Sequence, residues 1–148
     1  MSRPSKRLFR VAEHAGSERD KAARALAESR ETLDRAEGQL KSLRDYVQSY
    51  RREMAEVQES GASAARVRNY TDFLAQLTLA VRHQESKVAQ ARADFERQQQ
   101  QWVDARARVV QLESAAERRA DQENRYVERQ EQRSLDDLVM TRFLERQT

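Results

Sequence analysis

Apolar residues recur at steps of three and four along two stretches of this chain, and the nine residues from Gln58 to Arg66 separate them. That spacing is the seam of a coiled coil. Upstream the seam is Leu8, Ala12, Ala15, Arg19, Ala22, Leu26, Ser29, Leu33, Ala36, Leu40, Leu43, Val47, Tyr50, Met54 and Val57. Downstream it is Val67, Tyr70, Leu74, Leu77, Val81, Gln84, Val88, Ala91, Phe95, Gln98, Trp102, Ala105, Val109, Leu112 and Ala116. Each side holds fifteen seam positions, thirteen of them apolar. Two equal arms on one short polar turn predict an all-α, antiparallel two-helix coiled-coil hairpin.

The expected boundaries are a basic flexible start over 1–7, a first helix over 8–57, a turn over 58–66, a second helix over 67–116, and an overhang and tail over 117–148. Each arm of about fifty residues would be roughly 75 Å long at 1.5 Å per residue. Gly61 suits the left-handed residue that ends a helix. Ser63 is one cap for the next helix and Asn69 a later alternative. Laid antiparallel around the turn, Leu43 faces Val81, Leu40 faces Gln84, Ala36 faces Val88 and Leu33 faces Ala91. Further out Ser29 faces Phe95, Ala22 faces Trp102, Ala15 faces Val109 and Leu8 faces Ala116. In the outer pairs large side chains mostly meet small ones, as even, close packing requires.

Beyond Ala116 the seam positions become Arg119, Glu123, Tyr126, Gln130, Arg133 and Asp137, with one apolar residue among them. The first helix has no residue left to pair there, so a C-terminal helical overhang is expected. An apolar cluster then returns as Leu135, Leu138, Val139, Met140, Phe143 and Leu144. It reads as a docking helix, or as a segment folded back onto Leu8 and Phe9.

Charge and composition exclude several function classes. Charged residues make up 36% of the 148, and there are three glycines, one proline and no cysteine. A two-helix seam has no deep core and so no substrate cavity. The absence of cysteine rules out disulfides and thiolate metal sites and agrees with a reducing compartment. No apolar run approaches the roughly 18 residues that span a bilayer, so a cytoplasmic protein is expected. The net charge is +3, yet MSRPSKRLFR alone carries +4 through Arg3, Lys6, Arg7 and Arg10, leaving −1 for the rest. A nucleic-acid-binding coiled coil needs bases spread along one face, which this distribution does not supply. His14 and His83, the two histidines, lie on different arms, and the glycines are isolated, so no metal, phosphate or cofactor site is expected. Acids and bases alternate along the helices as on a solvated surface. No enzyme is expected.

Apolar residues beyond the seam are more informative. Tyr46, Phe73 and Ala80 occupy heptad position g, and the g positions of an antiparallel pair line one side. With the d residues Leu43, Tyr50 and Leu77 they widen that side into an aromatic strip near the turn. Such a strip either shields a thin seam or anchors a partner.

At this strip AEGQLKSLRDYVQSYR (36–51) and RNYTDFLAQLTLAVRHQ (68–84), joined across the glycine-containing turn, resemble the flagellar export protein FliJ family. The similarity covers most of the chain, and the tail beyond about Ala120 matches least. The resemblance implies a stalk and adaptor whose open end enters the hexameric flagellar export ATPase. It also implies binding to the cytoplasmic domain of the export-gate membrane protein FlhA, handling of export chaperones, and a place at the inner membrane beneath the flagellum. The family's gate-binding face maps onto Gln39, Leu43, Tyr46, Tyr50, Phe73, Leu77, Ala80 and Gln84. The family can carry histidine at the last of these positions, where this chain has Gln84 with His83 beside it.

The basic start (Arg3, Lys6, Arg7, Arg10) and the overhang are the expected ATPase contacts, because the hairpin itself does not use them. The same four bases could add weak attraction to anionic lipid. The free chain is expected to be monomeric, since the hairpin satisfies its own seam. The rival readings are the equivalent stalk of a virulence secretion system, a dimerising scaffold and the nucleic-acid-binding coiled coil.

Overall fold

A computed structural model describes residues 3–147. Helix α1 spans Pro4–Glu59 and helix α2 spans Ala64–Gln147, and the two pack against each other as a hairpin, with no strand among the described residues.

The turn is built as its residues require. Gly61 holds a φ of 78°, open to glycine at no steric cost. Its N–H donates to the Gln58 carbonyl at 3.2 Å and the Ala62 N–H donates to the Val57 carbonyl at 3.3 Å. That pair of bonds is a Schellman motif and closes α1. Ser63 caps α2, its hydroxyl accepting from the Arg66 N–H at 3.3 Å. The second helix therefore begins three residues ahead of the expected Val67, and Ser63 is the cap rather than Asn69.

The expected flexible start is helical from Pro4 onward, four residues before Leu8. Met1 and Ser2 lie outside the described residues. Proline suits the first helical position because its fixed φ is already helical and the missing N–H has no intrahelical partner there. The Arg3 carbonyl takes the first bonds, from Lys6 at 3.0 Å and Arg7 at 3.3 Å.

The described chain forms two compact units. In Ala22–Trp102 every expected seam position is buried or half-buried. Leu33, Ala36, Leu40 and Val88 form its buried cluster, with Val81, Ala91 and Phe95 packed against it. Arg30, next to Ser29, lays its guanidinium 5.4 Å from the centre of the Phe95 ring. These contacts match the expected pairing. On the e side of the seam Arg92 reaches Glu37 at 2.9 Å and Arg44 reaches Glu85 at 3.5 Å. Both pairs are half exposed and worth at most about 1 kcal/mol each. Their value lies in register: a slip of one heptad brings Glu37 against Glu85 or Arg44 against Arg92, like charges in either direction.

The other unit joins residues 3–21 with 103–147. Ala12, Ala15, Val109 and Ala116 are its buried apolar residues. Pairing does not stop at Ala116: Ser5, 5% exposed, hydrogen-bonds to Glu123. The start of α1 at Pro4, four residues before the expected Leu8, supplies this partner. From residue 124 to 147 every residue is exposed and helical. The cluster Leu135 to Leu144 does not fold back onto Leu8 and Phe9, because α2 runs through it without a break.

Candidate interaction face

Four rings gather near the turn. Tyr50 is central: it stacks on Tyr70 at 4.9 Å and meets Phe73 edge-on at 4.8 Å. Tyr46 lies 6.3 Å from Tyr50 and 6.5 Å from Phe73, nearly perpendicular to the latter. Offset and edge contacts of this kind add about 0.5–1.5 kcal/mol per pair beyond area burial. The cluster is only partly enclosed, since Tyr46 is 50% and Phe73 38% exposed. Burial pushes the Tyr50 phenol above its ordinary value, and Tyr70, Tyr46 and Glu53 add repulsion against its anion. Tyr50 therefore stays neutral throughout the physiological range.

The eight sequence-predicted residues divide by exposure. Tyr46, Phe73, Ala80 and Gln39 are exposed, Leu43 and Tyr50 are half-buried, and Leu77 and Gln84 are buried. Tyr46, Tyr50 and Phe73 touch as one group, and Gln39 and Gln84 as another. The Gln84 Nε2 donates to the Ala36 carbonyl at 3.0 Å and to Gln39 Oε1 at 3.2 Å. The sequence reading placed Tyr70 in the seam and not on this face. Its stacking on Tyr50 shows that it supports the strip, and its position one turn before Leu74 was the available signal.

At the start of α1, Arg3, Lys6, Arg7 and Arg10 are all exposed, at positions i, i+3, i+4 and i+7. Arg3 and Pro4 share a shallow groove of about 380 Å³ with Arg119, Glu123, Tyr126 and Val127. The two groups of candidate residues belong to different units of the fold.

The aromatic strip offers binding chemistry: half-exposed rings and a glutamine amide at one end. Among the described residues no three His, Asp or Glu side chains converge as metal ligands, and no helix is long and apolar enough to cross a membrane.

A family profile described as the flagellar FliJ protein matches residues 4–148, nearly the whole chain. No curated protein and no solved structure matches it. The chain therefore belongs to the FliJ family, the non-catalytic stalk components of flagellar type III export.

Proposed function

We propose that this protein is a stalk and adaptor that links the flagellar export ATPase ring to the cytoplasmic domain of the export-gate protein FlhA and assists export chaperones. It acts on the cytoplasmic side, held peripherally at the inner membrane. The gate-binding face is Gln39, Leu43, Tyr46, Tyr50, Phe73, Leu77, Ala80 and Gln84, and Arg3, Lys6, Arg7 and Arg10 contact the ATPase.

One observation carries the reading of the gate face. Tyr46 and Phe73 stand off the seam and keep large exposed areas, while the seam beneath them is already closed by Leu43, Val47 and Leu77. Aromatic rings held rigidly on a surface are the usual anchors of protein interfaces. The asymmetry of the hairpin supports it too: ion pairs bridge the e side of the seam, and the aromatic strip occupies the g side.

The test compares stability with binding. Tyr46→Ala should cost about 1 kcal/mol of stability or less, and about 2 kcal/mol or more of affinity for the gate domain. Phe73→Ala should lose similar affinity, with a larger stability cost because its ring edge meets Tyr50. Leu33→Ala, within the buried cluster, should cost about 2 kcal/mol or more of stability and bind normally while folded. Melting curves and gate-domain affinities decide the matter. Tyr46→Ala melting as early as Leu33→Ala while binding normally would reduce the strip to packing.

A further inference from the structure

Gln84 is one of three buried polar residues among the described residues, and its bonds fix the direction of its amide. A backbone carbonyl can only accept, so the group that Gln84 turns to the Ala36 oxygen is its NH2. Ala36 permits this approach because its methyl group leaves the carbonyl uncovered. The same NH2 meets Gln39, which must therefore present its oxygen. Gln39 is exposed, and its NH2 donates to no described group. Gln84 thus sets the polarity of an exposed amide while remaining 6% exposed itself.

The exposed amide borders a groove of about 480 Å³. Ala36, Ala91 and Gln84 line its floor, where small side chains leave room. Arg35 and Lys87 stand on its rim, exposed and in no ion pair among the described residues. Asp94, also on the rim, is engaged by the Arg97 guanidinium. The groove lies on the aromatic side of the seam: Gln39 is one heptad before Tyr46, and Lys87 two heptads after Phe73.

We propose that this groove is a subsite for an acidic side chain, an Asp or Glu of the protein segment that lies along the aromatic strip. The inference rests on the strip being a partner face. Its carboxylate takes the exposed Gln39 NH2 and the charges of Arg35 and Lys87, three donors converging on one acceptor group. Gln39 is a contact residue, and Gln84, buried in the groove floor, acts through Gln39 as a positioning residue. Two of the eight positions implied by the family resemblance thereby acquire different roles.

Gln39→Glu separates this from a structural role. The new carboxylate still accepts from Gln84, so folding is kept, but the exposed donor becomes an acceptor. Affinity of the full chain for the gate cytoplasmic domain should fall about tenfold or more with an unchanged melting temperature. Lys87→Gln and Arg35→Gln should each weaken binding severalfold and flatten its salt dependence. Gln84→Leu should melt no earlier than the parent yet bind more weakly, and Gln84→His, which keeps an N–H donor, should recover affinity. Gln39→Glu binding as tightly as the parent, or the rim variants leaving affinity and salt dependence unchanged, overturns the subsite. Tyr46→Ala in the same assay distinguishes the two failures. If it abolishes binding while Gln39→Glu does not weaken it, only the subsite falls. If neither variant weakens binding, the partner face falls with it.

Discussion

Ser5 donates twice to the Glu123 carboxylate, from its backbone N–H at 3.1 Å and from its hydroxyl at 2.5 Å. Helix α1 has no acid in its first turn, and Arg3, Lys6 and Arg7 at that end oppose the helix dipole. Glu123 supplies from α2 the anion that the start of α1 lacks, and satisfies one of its free N–H groups.

This contact should be sensitive to acid. The Ser5 hydroxyl holds the Glu123 carboxyl below its ordinary value; burial opposes the shift, while the Ser5 N–H, Arg119 and Arg3 assist it. Because the folded value is the lower one, the stabilisation is complete above the ordinary carboxylate range and is lost as pH falls through the depressed value. The protection factor of the Ser5 amide, its exchange rate corrected for the intrinsic pH dependence, should fall at acidic pH in the parent. In Glu123→Gln it should be low at every pH. Strong protection in that variant would show that the carboxylate does not hold the end of α1.

Register is testable because the chain has no cysteine. Ala36→Cys with Val88→Cys should form a disulfide readily. Ala36→Cys with Val81→Cys or Phe95→Cys should not, since one heptad displaces the partner by about 10 Å along the helix, beyond disulfide reach. Dominant cross-linking of either of the latter pairs would mean a seam shifted by a heptad.

The seam was legible because its period is a property of the sequence alone: all fifteen positions on each arm are buried or half-buried. The turn was legible for the same local reason, through Gly61 and Ser63. The displaced start of α1 comes from weighting charge above backbone geometry. Pro4 sits among basic residues that suggest a flexible start, although proline favours the first turn of a helix. Four more residues on α1 then gave Glu123 a partner that counting from Leu8 could not supply. At the aromatic strip the sequence identified the face but not its internal order. Which rings stack, and that Gln84 is withdrawn while Gln39 is presented, depends on side-chain directions across two helices.

The glycines make a contrast in one molecule. Gly38 lies inside α1, and a Cβ there meets nothing within 4 Å. Gly38→Ala should therefore stabilise by about 0.5–1 kcal/mol, through reduced freedom of the unfolded chain and better helix propensity. Gly61→Ala also has open space, but its φ of 78° should make it destabilising by about 1–2 kcal/mol. Thermal melting of the two variants measures both signs. A stabilising Gly61→Ala would mean that the turn does not need its left-handed residue.

The exposed end of α2 separates folding from docking. No residue of 124–147 is buried, and Tyr126, Val127, Leu135, Leu138, Val139, Met140, Phe143 and Leu144 are 39–65% exposed there. A chain ending at Glu123 keeps every buried seam residue and the Ser5 contact, so it should melt like the parent. A chain ending at Ala116 loses the Glu123 carboxylate, and the start of α1 should fray, seen as faster amide exchange at Ser5. If the exposed helix and the basic face of Arg3 to Arg10 contact the ATPase as proposed, the chain ending at Glu123 should lose most ATPase association despite its native stability. Replacing Arg3, Lys6, Arg7 and Arg10 by glutamine should weaken association and its salt dependence together. Undiminished association by the chain ending at Glu123, measured in a pull-down with the cognate ATPase, would remove residues 124–147 from the contact.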